Sequence, residues 1–229
     1  MIAVFKKKEL EFLGSKKESD NVYSFQFKKG QDLTWEAGQH GLFTITHKKI
    51  KSGTKPFSVA SAPKEDTIRI TTKINDTPSE YKKALLELKP GMTITMSGPV
   101  GAFHLKADSP TILIAGGIGI TPFRSILKQL DLEGNSNQKP IHLLYMDSDK
   151  SYIFKDELND IANSTSISVT YFDSRDRLYN EIDKYMQLYK DNEKYFIAGP
   201  KSMVDSVSAY LQENKVSKQK IKKDVLYGY

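Results

Sequence analysis

The chain has 229 residues, 38% hydrophobic and 27% charged, a balance that excludes a disordered polymer and suffices for one large or two small cores. It contains no cysteine, which excludes a disulfide, a thiolate nucleophile and a cysteine-ligated iron–sulfur cluster within these residues. The net charge of +6 is spread over lysine-rich loops with no basic helical stripe, so a solvated surface is expected and nucleic-acid binding is not.

At the N-terminus, Met1-Ile2-Ala3-Val4-Phe5 precedes Lys6-Lys7-Lys8, the reverse of a signal peptide's charge order. No apolar run approaches the ~20 residues of a membrane span, so the expectation is a cytoplasmic chain with no membrane span. The histidines (His40, His47, His104, His142) lack metal-ligand spacing, and no metal site is expected.

Residues 1 to about 107 read as short strands. Tyr23, Phe25 and Phe27 alternate with Val22, Ser24 and Gln26; Ile68, Ile70, Thr72 and Ile74 fall on one side of a later strand, as do Met92, Ile94 and Met96 on another. Breaks at Gly30, Gly38, Gly53, Pro63 and Lys89-Pro90-Gly91 predict a small antiparallel β-barrel. One helix interrupts it, with Ser79 as N-cap and Glu80 to Leu88 presenting Tyr81, Leu85 and Leu88 on one face.

From about 108 the pattern changes to strand, helix, strand. Ser109-Pro110 reads as the hinge, giving two units, 1–107 and 108–229, the second an α/β parallel-sheet domain. Thr111 to Ala115 is a short β-branched run expected as a central parallel strand, with Ile141 to Tyr145, Ile167 to Phe172 and Tyr195 to Ala198 as further strands. After the first, Gly116-Gly117-Ile118-Gly119-Ile120-Thr121-Pro122 joins strand to helix. Thr121 is expected as N-cap and Pro122 as the first helical residue, followed by Phe123, Ile126, Leu127 and Leu130 on one apolar face. Glycines let a ligand approach the backbone, and a helix N-terminus supplies free N–H groups for a phosphate. The turn therefore reads as a dinucleotide site, although it lacks the third glycine of the usual fingerprint. Met203, Val207, Tyr210 and Leu211 mark a closing helix.

Several segments, in order, resemble the ferredoxin–NADP reductase-like family. Lys55-Pro56-Phe57-Ser58-Val59-Ala60-Ser61 resembles its flavin strand, Arg-x-Tyr-Ser-x-x-Ser, and Glu36-Ala37-Gly38-Gln39 its glycine–glutamine barrel turn. Lys89-Pro90-Gly91 and Ser97 to Phe103 resemble the barrel exit, and Gly116 to Pro122 resembles the Gly-Gly-x-Gly-x-Thr-Pro pyridine-nucleotide loop. Ile197-Ala198-Gly199-Pro200 with Met203 resembles the Cys-Gly-Pro-x-x-Met strand end, and Leu226-Tyr227-Gly228-Tyr229 the aromatic tail.

The resemblance implies a flavoprotein oxidoreductase that passes hydride from NADH or NADPH to bound FAD (FMN is the less favoured flavin) and electrons to an acceptor. An acidic electron-acceptor protein is the partner suggested by the positive charge. Phe57 would stack on the flavin and Ser58 would hydrogen-bond its N5 edge, unless they are an ordinary core phenylalanine and a satisfied strand serine. Lys55 stands where arginine is usual and offers a point charge instead of a bidentate grip. Ser79 is the second phosphate candidate, with Asp76 nearby as a repulsive departure, and Thr72 and Pro56 complete the flavin set. Gly116, Gly117, Gly119, Thr121, Pro122, Gly199, Pro200 and Met203 form the nucleotide set, and Ala198 replaces the family's cysteine. Asp147 favours NADH through a ribose 2′-hydroxyl, while Ser148, Lys150, Arg175 and Arg177 offer the means to hold a 2′-phosphate. Tyr227 and Tyr229 would cover the flavin, with Tyr229 gating the nicotinamide position. Ser58 and Tyr229 are thus the residues placed at the reaction centre. A free-flavin reductase, a reductase subunit docking to a separate partner, and a nucleotide sensor are the alternatives.

Overall fold

The computed structural model describes residues 7–105, 109–134 and 139–226. In the first half, apolar residues at every second position make strands with one dry face. Strand β1 (Lys8–Ser19) buries Leu10 and Phe12 while Glu9 and Glu11 face out. It lies between β2 (Val22–Lys28) and β6 (Thr93–Val100), with Phe12 opposite Phe27 and Leu10 opposite Ile94. With β3 (His40–Ile45), β4 (Thr54–Ser58) and β5 (Thr67–Lys73) the order is β4-β3-β6-β1-β2-β5, all antiparallel. Just beyond β4, the Ala60 N–H donates to the Arg69 carbonyl of β5 at 2.8 Å, joining the two edges of the sheet into a barrel. Phe12, Phe25, Phe27, Phe43, Ile68, Ile70 and Ile94 fill it.

Helix α1 (Glu80–Leu86) starts at the Ser79 cap, whose hydroxyl accepts from the Lys82 N–H at 3.4 Å. It ends two residues earlier than the sequence pattern suggests, because Lys89-Pro90 disfavours helical backbone ahead of it. Leu88 is still buried. Tyr81 from this helix donates its hydroxyl to the Phe43 carbonyl at 3.1 Å.

The second half is a parallel sheet of β7 (Thr111–Gly116), β8 (Ile141–Met146), β9 (Ile167–Phe172), β10 (Lys194–Pro200) and β11 (Ile221–Leu226), ordered β11-β10-β7-β8-β9. Alternate residues of β7 serve opposite faces. Leu113 and Ala115 pack with α2 (Ile120–Glu133) and α3 (Lys155–Ser164), whereas Ile112 and Ile114 pack with α4 (Arg175–Tyr189) and α5 (Lys201–Glu213). Val22 of β2 and Phe103 of the barrel exit belong to the first of these cores, so the two halves share packing. Phe103 lies 5.6 Å from Phe123 and 5.3 Å from Phe196, ring centre to ring centre. The division expected between 107 and 108 falls within residues 106–108, outside the described residues.

Two local expectations are corrected. Thr121 is not an N-cap and Pro122 is not the first helical residue: Gly117–Gly119 already forms a 3-10 turn, Gly119 has helical φ −60° and ψ −7°, and α2 begins at Ile120. The Thr121 hydroxyl instead donates to the Ile118 carbonyl at 3.1 Å. On β2, Val22 and Ser24 are buried as well as Phe25 and Phe27. Their face meets the second half of the molecule and β5, where the Ser24 and Thr71 hydroxyls lie 2.8 Å apart.

Candidate functional site

The sheet's strand order reverses between β7 and β10, and in open parallel sheets the crevice at such a point, beyond the strands' carboxyl ends, is where ligands bind. Three adjoining clefts lie there. The first, about 260 Å³, has one wall from the barrel (His40, Pro56, Phe57, Ser58, Thr71, Thr72) and another from the second half (Ile118, Thr121, Asp224, Val225, Leu226). The next two, about 160 and 270 Å³, share Lys73, Gly117, Asp147, Asp149 and Pro200. Ile118 belongs to both the first and the second, so the chambers meet at the glycine turn.

In the first cleft, Ser58 is 5% exposed and its hydroxyl has no partner among the described residues at hydrogen-bond geometry. Buried hydroxyls are normally satisfied, so an orphan facing a cleft marks a place where a ligand's polar edge belongs. Asp224 faces the same space. Burial pushes its carboxyl above the usual range, with His40 and the Ser58 hydroxyl opposing that shift. The two side chains thus lie near enough to interact without an aligned bond between them. Phe57 is half-buried and stacks on Tyr81 at 5.8 Å and 29°, with Phe43 edge-on at 6.0 Å. It therefore packs on the barrel core on one side and lines the cleft on the other. An apolar chamber with one orphaned hydroxyl and a half-buried carboxyl fits a planar, polar-edged ring such as a flavin.

The glycines divide by role. At Gly117 φ is +51° and an added Cβ would meet nothing within 4 Å, so this residue both needs the left-handed backbone and leaves space for a ligand. At Gly119 a Cβ would collide with the Ala198 carbonyl and approach the Gly199 Cα at 2.7 Å. Its missing side chain serves the contact between the turn and β10. Gly116 is similarly occupied, by Met203 and Pro200.

Asp147 follows β8 and lines both nucleotide-side clefts; its Oδ1 accepts the Asp149 N–H at 2.9 Å. Arg175 and Ser148 line the larger of them. Lys150 and Arg177 are each 3.1 Å from Asp173, whose carboxyl they hold below the usual range, and neither lines these clefts.

Of the residues singled out in the sequence, the clefts bring together Pro56, Phe57, Ser58, Thr72 and Thr121 on one side and Gly116, Gly117, Asp147, Pro200 and Met203 on the other. Lys55, Ser79, Gly119, Pro122 and Gly199 line none of these three clefts. Tyr227 and Tyr229 lie outside the described residues. Sequence reasoning missed His40, Asp224 and Lys73. Lys73 comes from the barrel yet lines both nucleotide-side clefts. Its position directly after Thr72, at the end of an alternating strand, was the available signal. Asp224 had none, because its segment reads as a lysine-rich tail instead of a strand. Among the described residues no cluster could hold a metal ion, and no helix is long and apolar enough to cross a membrane.

Comparison with known proteins agrees with this geometry. The family model described as "FAD-binding domain" matches residues 2–121, and "Oxidoreductase NAD-binding domain" matches 113–209. The electron transfer component of toluate 1,2-dioxygenase from Pseudomonas putida is 28% identical, covering 69% of this chain and 50% of that protein. Flavohemoprotein A of Dictyostelium discoideum is 24% identical over 94% of this chain and 59% of its own length. The chain thus spans about half the length of the curated relatives it matches. Ferredoxin-NADP+ reductase from Plasmodium falciparum shares the fold, with a TM-score of 0.80 at 20% identity over 96% of each chain. With the FAD-binding model covering more than half of its residues and the NAD-binding model most of the remainder, the chain belongs to the ferredoxin–NADP reductase-like family of FAD- and NAD-binding oxidoreductases.

Proposed function

We propose that this chain is an NAD(P)H-dependent flavoprotein reductase whose flavin, preferentially FAD, sits in the cleft between the barrel and β11. The observation that carries the reading is the meeting of the two chambers at Ile118, one walled by the barrel and the other by the carboxyl ends of the parallel strands. Bound there, a flavin supplies acceptance of a hydride from reduced nicotinamide and release of electrons to an acceptor.

The chain's own residues bind, orient and exclude water. Pro56, Phe57, Ile118 and Leu226 provide apolar walls, and the Ser58 hydroxyl is the free polar group for a ring edge. Asp224 lies beside that hydroxyl, its carboxyl pushed above the usual range by burial. Gly117 and the N–H groups opening α2 receive the pyrophosphate, and Lys73 adds a positive charge from across the cleft. Asp147 accepts from a ribose 2′-hydroxyl. Lys150 and Arg177 line neither nucleotide-side cleft, which leaves Arg175 and Ser148 there for a 2′-phosphate beside the Asp147 carboxylate that favours NADH. Lys55 and Ser79 are assigned to the flavin's phosphates, and Tyr227 and Tyr229, just beyond Leu226, to covering its ring. The units 1–107 and 108–229 are the flavin and nucleotide domains.

A second reading concerns the acceptor. No cysteine lies in these 229 residues to ligate an iron–sulfur cluster, and the Pseudomonas putida relative is an electron transfer component, which supports passage of electrons to an acceptor group outside these residues. The net positive charge suits an acidic partner. Purified protein should bind FAD and be bleached by NADH under anaerobic conditions. Loss of all flavin on gel filtration, with turnover of added flavin, would instead identify a free-flavin reductase.

A further inference from the structure

Arg124 is the largest fully buried side chain among the described residues, at 2% exposure, and no motif marked it. It projects from α2 one helical turn beyond Thr121, which lines the first cleft. Its guanidinium uses all five N–H donors. Nη1 donates to the Ala60 carbonyl at 2.9 Å and to Glu65 Oε2 at 2.5 Å, and Nη2 donates to Glu65 Oε1 at 2.9 Å. Nε and Nη2 donate to Glu157 of α3 at 3.0 and 2.5 Å. Ala60 and Glu65 belong to the barrel side, two and seven residues beyond Ser58, whereas Glu157 belongs to the same half as Arg124. Along the same seam, Ser125 donates its hydroxyl to the Ser61 carbonyl at 2.7 Å, and the Lys64 N–H donates to Gln129 at 3.0 Å.

A buried ionic cluster is poor value as a source of stability alone, because desolvation offsets most of its attraction; its recognised use is to fix one geometry. Here the geometry fixed is that of Ser58 against Ile118 and Thr121. We propose that Arg124 is a positioning residue that clamps the nucleotide half to the flavin half through Glu65 and the Ala60 carbonyl, setting the approach of nicotinamide to flavin. Glu157 pre-orients the guanidinium from within its own half. The inference rests on the reductase reading for its kinetic consequence and on nothing but the fold for its structural one.

Glu65→Gln and Glu157→Gln separate the roles, since each is near-isosteric and only the first weakens a link between halves. Two readouts apply. Spin labels on Leu13→Cys and Leu188→Cys, both exposed sites in a chain free of native cysteine, report the spread of distances between the halves by pulsed electron resonance. In the FAD-loaded protein, stopped-flow reduction at saturating NADH reports positioning apart from nucleotide affinity. Glu65→Gln is expected to broaden the distance distribution and slow reduction about tenfold with nucleotide Kd within about twofold, because sub-ångström misplacement is costly in rate. Glu157→Gln should leave the distribution unchanged and the rate within about twofold. Equal behaviour of the two variants, whether both native-like in rate and distance or both equally slowed, would overturn the clamp. Failure of the unsubstituted protein to be reduced would sink the reductase reading instead, and the label distances would still decide the clamp.

Discussion

Ser58→Ala should make the flavin-free protein more stable and the loaded protein slower. The hydroxyl is buried at 5% exposure with no aligned partner among the described residues, so the fold bears its desolvation without a compensating bond. An unsatisfied buried polar group costs ~1–3 kcal/mol. The nearby Asp224 carboxyl recovers part of that, which places the gain on removal at about 1 kcal/mol, the low end of that range. For a chain of this size the gain raises Tm by about 2–4 °C. With FAD bound, loss of one neutral hydrogen bond at the reacting edge, worth ~0.5–1.5 kcal/mol, slows anaerobic reduction by up to about tenfold. Thermal melts of apoprotein and stopped-flow reduction of holoprotein measure the two halves of the effect. A fall in apoprotein Tm would show that Ser58 is satisfied within the fold. An unchanged reduction rate would show that it does not face the flavin.

Other outcomes follow from the same geometry. Gly119→Ala forces a Cβ into the Ala198 carbonyl and should cost ~1–3 kcal/mol in chemical denaturation, because backbone cannot give way as a side-chain tip would. Gly117→Ala has open space but a left-handed φ, so it should cost ~1–2 kcal/mol in strain and weaken NADH binding by calorimetry as the Cβ enters the ligand's path. Lys73→Ala should raise the KM for NADH about tenfold, the loss of one charge-assisted contact, with FAD content unchanged. Arg124, aided by the Ala62 N–H and by Arg69, holds the Glu65 carboxyl below its ordinary 4.5 against the effect of burial. Its contribution is therefore complete above pH ~4.5 and is lost as pH falls through the lower folded value. Urea titrations between pH 7 and 3 should show this acid loss, and it should shrink in Glu65→Gln even with Glu157 and Arg69 intact.

The parts of the fold legible in sequence were those whose signals are local. The run Thr111 to Ala115 ahead of a glycine turn announced a buried strand and a helix start, and the alternation of Phe25, Ile68, Ile94 and their neighbours announced the barrel. The cap assignment at Thr121 failed because Gly119 itself adopts helical angles, which sequence cannot show for a residue so permissive. Strand β11 was hidden by its lysines. As an edge strand it buries Ile221, sends Lys222 to the Ala102 and His104 carbonyls and leaves Lys223 exposed, so almost no apolar period is left to read. Helices α3 and α4 each bury only two side chains fully, Leu158 and Ile161 in one and Leu178 and Ile182 in the other. Within the site, residues on the motif strands and turns were legible. Those brought in from elsewhere, Lys73 across the seam, Asp224 on β11 and Arg124 in the interior, depend on pairing between distant segments.

In the proposed reductase, one molecule of flavin and one of nicotinamide nucleotide occupy adjoining chambers on either side of Ile118. Anaerobic titration of FAD-reconstituted protein with NADH, followed by visible absorbance, tests it most directly. A bound flavin spectrum near 1:1 stoichiometry that bleaches with about one equivalent of NADH is the expected result. Protein that takes up no FAD, or holds it and remains oxidised in excess NADH and NADPH, would contradict it.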